Sequence, residues 1–170
     1  MRSLNQRGFT LTELIVALAV LGMILGGVYT LQQQGLYSYL MGSAKVEAQQ
    51  NARVALDLMI RELRSATSVT AIAGADLTFV DQNGVTIRYN LNGTTLQRTE
   101  NAVADVLIGG VQSLALTYQD SSGAVTGAPG SVANVVIAIT TQPQSTTAYS
   151  NNALKQQMVV QDQVRLRNML

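Results

Sequence analysis

The chain has 170 residues, which suits one domain plus an anchor; 47% are hydrophobic and only 12% charged, about half the charged share of an ordinary soluble domain. Its 11 basic and 10 acidic residues leave a formal net charge of +1, so charge gives no general attraction to nucleic acid or anionic lipid. Cysteine and histidine are both absent, which excludes disulfides, thiolate metal sites, a cysteine nucleophile and a Ser-His-Asp triad, and leaves zinc only carboxylate ligands; an enzyme is not expected.

Arg2 and Arg7 precede an apolar run, and Leu14 to Val28 contains no polar side chain. Phe9 to Leu31 is 23 residues with a single charge, Glu13. As a helix that stretch is about 35 Å long, enough to cross a hydrocarbon core of about 30 Å. Positive charge ahead of the span puts the N-terminus on the cytoplasmic side and everything after it outside. Two plainer readings are a secretory signal peptide and an uncleaved single-pass anchor. The small-residue cleavage site nearest the span, Gly42-Ser43-Ala44, lies far beyond the apolar run. Neither reading gives Glu13 a role, although an ionisable residue in a membrane helix is by default functional and needs a partner.

Gly8-Phe9-Thr10-Leu11-Thr12-Glu13-Leu14, after a short basic leader and before an apolar helix, resembles the class III signal of type IV pilins and type II secretion pseudopilins. The resemblance implies that a membrane-embedded prepilin peptidase removes residues 1–8, cutting between Gly8 and Phe9, and methylates the new Phe9 amine. It also implies that the Glu13 carboxylate pairs with the Phe9 ammonium of a neighbouring subunit in the filament. A buried carboxylate needs such a partner, because leaving it alone in an apolar medium costs several kcal/mol.

Within the span, Gly22 and Gly26 form a G-x-x-x-G pair that permits close helix approach in lipid, and each weakens the helix by about 1 kcal/mol relative to Ala. In the family the helix loosens near this stretch in assembled filaments, which Gly22, Gly26 and Gly27 would permit. The proline common in major pilins is replaced here by Thr30. Residues 9–31 are thus the transmembrane half of one long helix, and 32–66 its amphipathic half. Tyr29, Tyr37 and Tyr39 suit an interfacial belt. Ala52, Leu56, Met59, Leu63 and Ala66 recur at helical spacing as an apolar stripe, and Arg53, Asp57 and Arg61 share another face. A helix from Phe9 to Ala66 would be about 87 Å long if continuous.

From Thr67 to Leu170 the pattern turns to strands and an extracytoplasmic globular domain. Leu77–Val80 and Val85–Asn90 flank Asp81-Gln82-Asn83-Gly84, a strong hairpin signal. A second hairpin joins Thr86–Leu91 to Thr95–Arg98 across Asn92-Gly93. Val111–Gln119 alternates, with Val111, Leu114 or Ala115, Leu116 and Tyr118 on one side. Val132–Thr141 is β-branched and central. Asp120 to Gly130 and Thr141 to Asn152 are loops. Met158–Arg167 is the last strand, with Val160, Val164 and Leu166 inward. A helix followed by strands gives an α+β class, the type IV pilin fold in the resemblance.

Ala52 to Ala66, the Val106–Gly123 stretch and Val164–Asn168 resemble J-type minor pseudopilins and W-type minor pilins. The expected role is then a minor subunit in a tip or priming complex of a pilus or a type II secretion pseudopilus. The partners would be the peptidase, other major and minor pilins, the inner-membrane assembly platform and membrane lipid. The subunit would sit in the cytoplasmic membrane before entering the filament. No cofactor or metal is expected: the loops at Asp81 and Asp120 each offer one carboxylate, where calcium takes six to eight oxygens. Nucleic acid is not expected either, since residues 67–170 carry five basic against six acidic side chains and no basic stripe with interleaved aromatics. The alternatives are an uncleaved anchored binding domain working through its loops and, more remotely, an anchored hydrolase.

Overall fold

A computed structural model describes residues 8–142 and 157–167. Arg2, Arg7, Lys155, Asn168 and most of the Thr141–Asn152 loop lie outside the described residues. The chain divides into two compact units, Met1–Leu40 and Met41–Leu170, and a single helix, α1 (Leu11–Arg64), contributes to both.

In the first unit, α1 is long and apolar enough to cross a membrane. Every large apolar side chain from Leu14 to Val28 is at least half exposed. A surface of this kind in water would be strongly unfavourable, so lipid is its natural solvent. The helix runs through Gly22, Gly26 and Gly27 without a break. A methyl group at any of the three would meet nothing within 4 Å, so the chain's own fold places no demand on glycine there. Thr30 takes the helical place without kinking it, its hydroxyl donating to the Gly27 carbonyl at 2.8 Å.

In the second unit, α1 buries one stripe: Ala52, Ala55, Leu56, Met59, Ile60 and Leu63. The sequence stripe is thus correct and wider than its spacing suggested. Arg53, Asp57 and Arg61 are exposed on the other side. At the C-terminus Ser65 ends the helix, donating from its amide and its hydroxyl to the Glu62 carbonyl at 3.0 and 2.7 Å. Ala66 is therefore the first residue of a strand rather than the last of the helix.

Five antiparallel strands follow in sequence order as one meander: β1 (Ala66–Ala73), β2 (Asp76–Asp81), β3 (Thr86–Asn92), β4 (Thr95–Glu100) and β5 (Val103–Gly109). A second antiparallel sheet holds β6 (Val111–Gln119), β7 (Asn134–Thr141) and β8 (Met158–Arg165), with β7 in the middle as its β-branched pattern demands. Gly110, at φ +73°, turns the chain between the sheets, and its carbonyl accepts from the Gln142 amide at 2.9 Å.

Both hairpins read from Asn-Gly are present, pairing β2 with β3 and β3 with β4. Leu114 rather than Ala115 faces the core, together with Val111, Leu116 and Tyr118. Val164 and Leu166 are fully buried, whereas Val160 is half-buried. Phe79 and Tyr89 stack with ring centroids 6.3 Å apart. Each of the large core side chains here contributes roughly 1.5–3 kcal/mol by leaving water.

The β4–β5 turn is strained. Asn101 (φ 47°) and Ala102 (φ 69°) both occupy the left-handed region between the paired residues Glu100 and Val103. That is the backbone of a two-residue hairpin for which Asn-Gly is the preferred sequence. Alanine there costs about 1–2 kcal/mol against glycine, partly offset by its less flexible unfolded state. Ala102→Gly is therefore expected to raise stability by about 0.5–1 kcal/mol in urea unfolding; a loss of stability would show that the turn is not strained.

Candidate functional site

The N-terminal segment begins with Gly8, Phe9 and Thr10 outside the helix, and Phe9 is 90% exposed. A side chain at Gly8 would meet nothing within 4 Å. This chain's own packing therefore places no demand on glycine at that position.

Thr10 stands at the N-cap of α1 and Glu13 at its third residue. The Glu13 Oε2 accepts from the Thr10 amide at 2.9 Å and from the Thr10 hydroxyl at 2.8 Å. In return the Glu13 amide donates to the Thr10 Oγ1 at 3.3 Å. This reciprocal arrangement is a capping box, satisfying two backbone donors that a helix start otherwise leaves open. Its carboxylate also lies where the helix dipole favours negative charge. The sequence pattern Thr10-Leu11-Thr12-Glu13 carries this signal beside the assembly role expected of Glu13. So before assembly Glu13 already has local partners, and Phe9, next to the cap, is free to be presented.

In the second unit, ionised side chains serve the fold. Glu62 from α1 accepts from the Tyr89 hydroxyl at 2.5 Å and from Arg98 at 2.8–3.1 Å, and Arg98 also pairs with Glu100 at 2.6 Å. The side chains of Arg98 and Glu62 are 18% and 17% exposed. Burial, followed by the hydrogen bond to Glu62, drives the Tyr89 hydroxyl far above its ordinary range. Arg88 pairs with Asp76 on the surface. Tyr118 donates to the carbonyls of Ala73 and Asp76 at 2.8 and 3.0 Å, tying β6 to the β1–β2 turn.

The two acidic loops are built alike. Asp81 Oδ1 accepts from the amides of Asn83 and Val85, both at 2.8 Å. Asp120 Oδ1 accepts from the Ser122 hydroxyl at 2.6 Å and from the amides of Ser122 and Ala124 at 2.9 and 3.0 Å. Gly84 and Gly123 then turn the chain at φ +77° and +86°. These carboxylates organise turns, and among the described residues no three acidic side chains gather to hold a metal.

The Val85 amide above all holds Asp81 below the usual carboxylate range, and the Ser122 hydroxyl does so for Asp120. A depressed carboxyl stabilises the fold above its unfolded pKa and loses that contribution as pH falls through the folded one. Unfolding midpoints should therefore fall as pH drops below about 4. Asp81→Asn with Asp120→Asn should flatten that acid limb, and an unchanged slope would refute the assignment.

Compared with known proteins, residues 3–29 match the family model for the prokaryotic N-terminal methylation motif. No curated protein matches the chain. The matched stretch contains Gly8, Phe9, Glu13 and the apolar helix, and the whole has a long apolar helix with antiparallel sheets packed on its second half. Motif and arrangement together point to a class: a processed structural subunit with a membrane-anchoring helix. More particularly, the chain carries a class III signal and is type IV pilin-like, which implies a prepilin peptidase and assembly with other pilins.

Proposed function

We propose that this chain is a minor pilin or pseudopilin of the J/W-like kind, working in a tip or priming complex of a type IV pilus or a type II secretion pseudopilus. The peptidase cuts between Gly8 and Phe9, the Phe9 amine is methylated, and its ammonium pairs with Glu13 of a neighbouring subunit. The N-terminus lies in the cytoplasm, residues 9–31 span the membrane, and the β-rich domain from about residue 67 lies outside until assembly draws the subunit into the filament. Gly22, Gly26 and Gly27 let the helix pack closely or loosen there. The mechanism is assembly, with no cofactor and no nucleic acid.

The observation that carries this reading is the methylation motif at residues 3–29 running directly into an apolar helix that continues, unbroken, into a β-rich domain. A cleaved secretory signal would have no reason to be continuous with the domain's own core helix. The lack of cysteine, against the disulfide-closed loop of many major pilins, favours the minor or pseudopilin kind.

The test is the mass of the N-terminal peptide from protein purified with an active peptidase. A chain starting at N-methyl Phe9 is expected. A chain still starting at Met1 would mean a fixed anchor bearing a binding domain, and one cut near Ala44 would mean a secreted soluble domain.

A further inference from the structure

Asn83-Gly84 and Asn92-Gly93 are the two Asn-Gly pairs in the sequence, and their surroundings differ. The Asn83 side-chain amide donates to Asp81 Oδ2 at 3.1 Å, its backbone amide donates to Asp81 Oδ1 at 2.8 Å, and the Gly84 amide donates to the Asp81 carbonyl at 3.1 Å. Asn92 is exposed at the tip of the β3–β4 hairpin. Among the described residues its side chain has no hydrogen-bond partner, and the Gly93 amide donates to none. A methyl group at Gly93 would meet nothing within 4 Å, so the tip is open to water.

From this contrast we propose that Asn92 is a site of spontaneous deamidation and isoaspartate formation, and that Asn83 is protected. The Gly93 nitrogen attacks Cγ of Asn92, the Cγ–Nδ2 bond breaks, and ammonia leaves with the proton from the Gly93 amide. The resulting five-membered imide is opened by water. Attack at one carbonyl gives aspartate and attack at the other gives isoaspartate, so the balance is asparagine plus water to acid plus ammonia. Glycine is the residue whose nitrogen is least obstructed for this attack, and hairpin tips open locally more readily than strands. At Asn83 the same attack must first break the bonds to Asp81. Conversion at Asn92 adds a negative charge and, in the isoaspartate form, one extra backbone atom. It does so beside Thr94, whose carbonyl accepts from the Val111 amide at 3.0 Å where the chain passes between sheets. The modification thus marks aged subunits at a point that joins the two sheets.

The full chain in detergent micelles should be incubated at mildly alkaline pH and digested with trypsin, which separates the two sites at Arg88. Peptide mass and enzymatic isoaspartyl methylation then follow each site. Asn92 is expected to convert on the order of tenfold faster than Asn83, the factor set by the hydrogen bonds Asn83 must lose first. In the denatured chain the two rates should converge. Asn92→Gln should abolish conversion in its own peptide and leave Asn83 unchanged. Equal native rates, a faster Asn83, or a tenfold difference that survives denaturation would overturn the proposal. So would a glycan on Asn92, whose Asn-Gly-Thr sequence also fits a glycosylation acceptor.

Discussion

Glu13→Ala is expected to leave membrane insertion and cleavage after Gly8 intact while lowering incorporation into filaments by at least about 30-fold, the factor for roughly 2 kcal/mol per subunit interface. The subunit must leave lipid for a protein filament. A carboxylate near the end of a membrane span raises the energy of the lipid-inserted state by a few kcal/mol at most, depending on depth. In the proposed pairing, a neighbour's Phe9 ammonium would lower the energy of the assembled state. Alanine removes both effects, and both removals favour staying in the bilayer.

The capping box complicates the test, because alanine also deletes a helix cap worth about 1 kcal/mol. Two further variants separate the causes. Glu13→Gln keeps the cap, since glutamine serves at that position, but removes the charge. Thr10→Ala weakens the cap and keeps the charge. If pairing with Phe9 governs assembly, Glu13→Gln should fail nearly as badly as Glu13→Ala, and Thr10→Ala should assemble appreciably better than either. Wild-type incorporation by Glu13→Gln would sink the charge-pair mechanism and leave Glu13 as a helix cap. Filament yield, measured against the cleaved membrane pool, is the readout.

Arg98→Met is expected to cost about 3 kcal/mol of stability in the β-rich unit. Arg98 is the centre of a cluster drawn from three elements: Glu62 on α1, Tyr89 on β3 and Glu100 on β4. Without Arg98, Glu62 remains mostly buried with only the Tyr89 hydroxyl as partner. An uncompensated charge in such a place costs more than the pair ever contributed. Glu62→Leu combined with Arg98→Met should recover much of the loss, because an apolar pair of similar size removes both charges together. Urea unfolding followed by tyrosine fluorescence reports this, since the chain has no tryptophan. A single-variant loss below about 1 kcal/mol would place the cluster among ordinary surface ion pairs. Failure of the double variant to recover stability would show that the Tyr89 bond to Glu62 is the dominant contact.

Some of this was legible from residue order alone. The membrane span, the site around Gly8 and Phe9, the apolar stripe on α1 and the two Asn-Gly hairpins are local signals. Each rests on hydropathy over one helical length, a short motif, a period of three to four or a turn dipeptide, and so needs no knowledge of distant neighbours. The site is half legible in sequence: Glu13 stands out as a charge needing a partner in lipid, while the cap it forms with Thr10 rests on a short spacing common to many helix starts.

Other features depend on residues far apart in the chain. β1 begins at Ala66, which helical spacing places in the apolar stripe of α1, and its pairing with β2 shifts register twice; the end of the helix at Ser65 is what makes Ala66 a strand residue. β5 is exposed from Val103 to Val106, with Ile108 its buried residue, and its pairing with β4 shifts register between Leu96 and Gln97, so it carries no alternating signal. Glu62 and Arg98, 36 residues apart, sit in unremarkable charged surroundings in sequence, and burial alone makes them matter. The two Asn-Gly pairs read identically, and the hydrogen bonds around each separate them. Periodicity and motif decide which face of an element is apolar and where the chain enters lipid, because those depend on spacing within one element. Partner choice and burial of charge were decided by tertiary structure, because their energies exist only once distant elements exclude water between them.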